Sequence, residues 1–111
     1  MRYINQKFYC AMKQVKKITC INNAGFVQKF KVVWNGGQTG WSDTYPNPQS
    51  KSFELAEYRV PANTEVWIEV DAVLGKKKTA SDHVIFVPES NDAAIYRTTG
   101  ATLTYKIHLE N

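Results

Sequence analysis

An all-β fold, a single antiparallel β-sandwich of about seven strands, is predicted by three observations on the sequence. Val, Ile, Thr, Phe, Tyr and Trp make up 40 of the 111 residues, against 15 for Leu, Ala and Met. Branched and aromatic side chains suit a half-buried pleated surface, whereas a helical domain leans on Leu and Ala. Long segments alternate apolar and polar residues with a period of two. The segments between them are polar and rich in Gly, Pro, Asn and Asp. A chain of this length makes one domain and buries roughly 65% of its unfolded surface, so it can build a core without disulfide staples.

Residues 1–17 form a basic N-terminal extension or first element ahead of a β-sandwich domain over 18–111. Ile4, Phe8, Ala11 or Met12, and Val15 fall at helical spacing, with Lys7, Lys13, Lys16 and Lys17 mostly elsewhere, which makes a weakly amphipathic helix. Phe8, Cys10 and Met12 equally suit a strand, and residues 1–11 also read as an extension with little fixed structure. A short strand follows over 18–22, then an Asn-Asn-Ala-Gly turn. In residues 26–35, Phe26, Phe30, Val32 and Trp34 share one face, and Val27, Lys29, Lys31 and Val33 the other. After a short strand over 52–55, residues 64–73 turn Val66, Ile68, Val70 and Ala72 inward and Glu65, Trp67, Glu69 and Asp71 outward. Short strands over 83–87 and 94–98 precede the last one, 101–109, whose inward set is Leu103, Tyr105, Ile107 and Leu109.

The most informative loop is 35–49, NGGQTGWSDTYPNPQ. Loops of that length without their own structure tend to be binding loops or disordered. Gly36, Gly37 and Gly40 permit positive φ, and Pro46 and Pro48 stiffen the exit. Trp41 and Tyr45 sit among Gln38, Asp43 and Asn47. An aromatic plate rimmed by donors and acceptors is what a sugar ring or a lipid headgroup requires. The plainer alternative makes Trp41 or Tyr45 a plug over the end of the core. The run Lys76, Lys77, Lys78 reads as a solvated hairpin tip, or as a contact for an anionic membrane surface at about 1 kcal/mol per Lys.

Catalysis finds no foothold. Ser81, Asp82 and His83 are neighbours, but successive strand residues point to opposite faces, and a triad is assembled by the fold. His83 and His108 read as surface residues. Two distant His and two Cys give no zinc set, the acidic residues miss calcium-loop spacing, and Gly-Gly-Gln-Thr-Gly lacks the Lys and helix of a phosphate loop. No enzyme activity, metal or cofactor is expected. Nucleic acid is not expected as a partner either, because the longest outward face is acidic.

No stretch approaches a membrane span or a signal peptide, and Cys10 and Cys20 read as free, apolar-facing thiols, with a bridge between them as the minor alternative. The expected location is the cytoplasm of the producing cell, or release without a visible signal peptide. The net charge of +4 is polarised: residues 1–42 carry seven positive charges and no acid, and the other 69 carry seven positive against ten negative. Cross-strand pairing of Lys29 and Lys31 with Glu65, Glu69 or Asp71 would consume part of it. The outward Trp67 is a candidate face for cover by residues 1–17 or for homo-oligomerisation.

The order of an Asn-Asn turn, a Trp-containing strand, a Gly/Trp loop and a Ser-containing strand resembles small β-sandwich proteins of the glycan-binding and membrane-binding cytolysin types. The resemblance is one of pattern and carries over no residue roles. The first expectation is a lectin-like or membrane-active toxin-like binding module, with Trp41 and Tyr45 stacking, Asp43, Asn47 and Gln38 orienting the ligand, and the lysines adding attraction. The alternative is a structural or interaction protein acting by self-assembly or through a protein partner.

Overall fold

Two β-sheets pack face to face in the computed structural model, which describes residues 12–111. The first sheet runs β1 (Gln14–Val15), β8 (Val84–Phe86), β6 (Thr64–Ala72), β3 (Gln28–Trp34) and β4 (Gly37–Gln38), with β7 (Lys77–Thr79) also paired to β6. The second runs β10 (Lys106–Leu109), β9 (Ala93–Gly100), β2 (Lys17–Ala24) and β5 (Ser50–Glu54). A 3-10 turn, Leu55–Tyr58, follows β5.

Period-two patterning sets which side chains make the core. Phe30, Val32 and Trp34 of β3 meet Val66, Ile68, Val70 and Ala72 of β6 on one inner face, and Ile18, Cys20, Ala94 and Tyr96 supply the other. All seven expected strands form, with shifted ends, and β1, β4 and β7 are added as short pieces. The sheets are mixed where an antiparallel sandwich was expected. β2 lies parallel to β9 across eight paired residues, and β1 parallel to β8. Such pairings join segments far apart in the chain, and local alternation carries no sign of direction.

The ends carry further corrections. The last strand starts at Lys106, because residues 102–104 turn; Leu103 is therefore 64% exposed, where the alternation placed it inward. Gln14, Val15 and Lys17 belong to the sheets, as a first element would. Residues 12–17 hold no helix, with Gln14–Val15 in strand, and residues 1–11 of the proposed helix, Cys10 among them, lie outside the described residues. The Cys20 thiol is fully buried, and that burial pushes its pKa up to about 11.

Candidate functional site

The 35–49 loop is pinned along the free edge of β3. The Thr39 N–H donates to the Val32 carbonyl at 3.0 Å, and the Val32 N–H donates to Thr39 Oγ1 at 3.1 Å. Ser42 repeats the device on Phe30, its N–H donating to the Phe30 carbonyl at 2.8 Å and its Oγ accepting the Phe30 N–H at 3.1 Å. Tyr45 and Gln28 then form a two-way backbone bridge. Side-chain hydroxyls thus replace strand carbonyls, and the loop covers an edge that would otherwise offer unpaired groups to another chain.

This course disperses the residues expected to converge on a ligand. Tyr45 is corrected to a core residue: it is fully buried, its Oη donating to the Cys20 carbonyl at 3.0 Å and accepting from Gln28 Nε2 at 2.9 Å. It has no ring face to offer a ligand, and burial first, then the neighbouring Cys20, holds its phenol protonated far above the ordinary tyrosine range. Asn47 donates from Nδ2 to the Ala24 carbonyl at 3.0 Å, and Asp43 is exposed.

Trp41 and Gln38 do come together, on the outer face of the first sheet. Lys31 Nζ lies 4.6 Å from the Trp41 ring centre, Lys29 Nζ 5.3 Å and Lys77 Nζ 6.0 Å. Lys31 also donates to Gln38 Oε1 at 2.8 Å. The register sets Lys29 opposite Asp71 and Lys31 opposite Glu69, with ammonium–carboxylate distances of 4.0 and 3.7 Å, the expected cross-strand pairing. Further along this face His83 stacks on Trp67, ring centres 4.4 Å apart, and hydrogen-bonds Glu65. His83 thus engages neither Ser81 nor Asp82, and among the described residues it is the cover over Trp67.

The opposite character appears at one end of the sandwich. Three turns meet there: the one joining β2 to β3, the one joining β6 to β7, and the one joining β9 to β10. The Gly25 N–H donates to the Gly100 carbonyl and the Val73 N–H to the Val27 carbonyl, both at 2.9 Å. A Cβ on Gly75 would lie 2.9 Å from the Thr102 carbonyl oxygen, so the second and third turns touch. At this end Leu74 is 99% exposed, Leu103 64%, Val73 40% and Val27 39%. Leu74 also holds φ at 64°, a left-handed backbone that a branched apolar residue adopts at a cost of about 1 kcal/mol or more.

Residues 25–27, 73–78 and 100–106 contain four lysines, Lys76, Lys77, Lys78 and Lys106, and no carboxylate. Lys78 Nζ donates to the Tyr105 carbonyl at 2.9 Å, tying β7 to the start of β10. Sequence reading found the lysines and missed the leucines. The available signal was Val73-Leu74-Gly75, an apolar pair at a hairpin tip where Asn or Gly is usual. Among the described residues no group of three or more His, Cys, Asp or Glu is placed to hold a metal.

Neither a protein-family model nor a curated protein matches the sequence. In structure the chain is similar to listeriolysin O, with a TM-score of 0.45 and 16% identity, over 86% of this chain and 22% of that one. It is similar to a non-hemolytic pneumolysin from Streptococcus pneumoniae strain ST306, with a TM-score of 0.47 and 14% identity, over 86% and 23%. Another pneumolysin structure gives 0.46 and 13%, over 85% and 23%. This chain thus spans less than a quarter of the length of those proteins, and likeness at this level carries no argument about function.

Proposed function

We propose that the chain is a binding module that docks end-on at a membrane surface, seating Leu74 and Leu103 among the lipid headgroups. The observation that carries this reading is Leu74, fully exposed and held at positive φ at the apex of a turn. A strained backbone that presents an apolar side chain to water stabilises nothing in the isolated fold, which points to a use outside it. Burying one leucine is worth about 1.5–3 kcal/mol, and each lysine near an anionic leaflet adds about 1 kcal/mol. Two leucines with the neighbouring lysines therefore suffice for reversible attachment, the regime of a peripheral protein with one lipid chain. Flotation with vesicles of phosphatidylcholine and phosphatidylserine tests it. The wild-type chain floats, and Leu74→Asp with Leu103→Asp keeps the fold and stays in the soluble fraction; equal flotation of both would refute the reading.

A second reading, carbohydrate binding, draws on Trp41. Its indole is held half-exposed by three ammonium groups beside Gln38, an ordered aromatic surface with polar groups at its rim. On this reading Trp41→Ala abolishes binding on a glycan array, while vesicle flotation is unchanged.

A further inference from the structure

Among the described residues, β7 and β10 face each other across one flank of the sandwich, each hydrogen-bonded to one neighbouring strand. Between them lies an open groove of about 500 Å³, running away from the apolar end and lined by Lys78, Thr79, Ser81, Asp82, Lys106 and His108 among others. Its charges are sorted along its length. The bond from Lys78 to the Tyr105 carbonyl brings that lysine beside Lys106, at the end that adjoins Leu103. Asp82 belongs to the far end: its carbonyl accepts from Tyr96 Oη at 2.7 Å, and Tyr96 pairs with Leu109, next to His108.

The geometry points to this groove as a headgroup site for a phospholipid that carries a phosphate followed by a primary amine. The inference rests on the membrane reading above and gives it a ligand class. With Leu74 and Leu103 at the bilayer, the first groups in the groove are two ammonium side chains, matched to the phosphate nearest the acyl chains. Thr79 and Ser81 lie along the groove between the two ends. Beyond them Asp82 accepts from a terminal amine and repels a second phosphate, which sets an ethanolamine-type headgroup above a polyphosphate one.

The test titrates the isotope-labelled whole chain with O-phosphoethanolamine and, separately, with inorganic phosphate, and floats the same protein on phosphatidylcholine vesicles with and without phosphatidylethanolamine. O-Phosphoethanolamine is expected to shift amides over 77–82 and 106–108, more strongly than phosphate does. Lys106→Gln, an exposed substitution, is expected to weaken that binding about tenfold, the loss of one charge-assisted bond. Adding phosphatidylethanolamine is expected to strengthen wild-type flotation and to strengthen Lys106→Gln flotation less. Absence of groove shifts, shifts that Lys106→Gln leaves unaltered, or inorganic phosphate acting as strongly would each overturn the headgroup assignment. If the wild type floats by way of Leu74 while the groove is silent, the groove inference alone fails. If no vesicle recruits the chain, the membrane reading fails, whatever the soluble headgroup does.

Discussion

Gln28 and Tyr45 are joined three times over: each backbone N–H donates to the other's carbonyl, at 3.0 and 2.8 Å, and Gln28 Nε2 donates to Tyr45 Oη at 2.9 Å. Gln28 Oε1 in turn accepts from Thr98 Oγ1 at 2.6 Å, and Asn22 Nδ2 donates to the Tyr45 carbonyl at 3.0 Å. One buried polar chain therefore ties both sheets to the loop that runs along the edge of β3. No buried side-chain nitrogen or oxygen among the described residues lacks a partner, which is the condition under which such a network rigidifies a core.

The hydroxyl of Tyr45 can be separated from its ring by mutation. Tyr45→Phe is expected to cost about 1–3 kcal/mol, the price of leaving buried partners unmatched, and Tyr45→Ala about 3–5 kcal/mol as a cavity is added. Urea unfolding with an unchanged m-value measures both; a neutral Tyr45→Phe would show that the network contributes little.

Stability should fall at alkaline pH. Burial pushes the Cys20 thiol up to about 11 and, with Asp71 adding to it, the Tyr105 phenol up to about 12; Tyr45 and Tyr96 are raised further, first by burial. In the unfolded chain a thiol ionises near about 8.5 and a phenol near about 10. Between the unfolded and folded values the unfolded state binds fewer protons, so this contribution is complete below about pH 8.5 and declines as pH rises through the folded values. Melting temperatures from pH 7 to 10.5 check it, and Cys20→Ala is expected to flatten the curve between about pH 8.5 and 10. A flat wild-type profile would contradict the buried, neutral assignment.

The hydroxyls along β3 make a local prediction. Thr39→Val and Ser42→Ala are each expected to cost about 1 kcal/mol. Hydrogen exchange should accelerate at the Val32 amide in the first and at the Phe30 amide in the second, with β9 amides unaffected. Acceleration spread evenly over both sheets would instead mean that the loop is no separate latch.

The fold was legible wherever one face of a strand is buried. The inward sets of β3 and β6 alternate in burial because each strand separates core from solvent, and only the buried Gln28 of β3 breaks the apolar pattern. The partner directions were not legible, since β2 finds β9 from across the sequence. Aromatic residues in the long loop carried two meanings that composition cannot separate: Tyr45 went to the core through its hydroxyl partners, and Trp41 to the surface among lysines. Leu103 was misassigned because alternation was extended through a turn, and Leu74 was passed over because a single exposed apolar residue is ordinary until its neighbours in space are known.

Leu74 sets stability against use. Leu74→Gly removes the side chain and relieves a backbone φ of 64°, so the variant is expected to be about 1 kcal/mol more stable and to bind vesicles more weakly. Thermal melts and flotation on the same preparation check the two halves; a less stable variant would mean that Leu74 packs within the fold.

The most direct measurement of end-on docking is the environment of residue 74 itself. In a Cys10→Ser background, Leu74→Cys is labelled with an environment-sensitive fluorophore, Cys20 being protected by burial. On adding vesicles of phosphatidylcholine and phosphatidylserine, the emission is expected to brighten and move to the blue, while the same label at Glu57, in the 3-10 turn, stays water-like. A label at 74 that remains water-like while the protein floats with the vesicles would contradict the account.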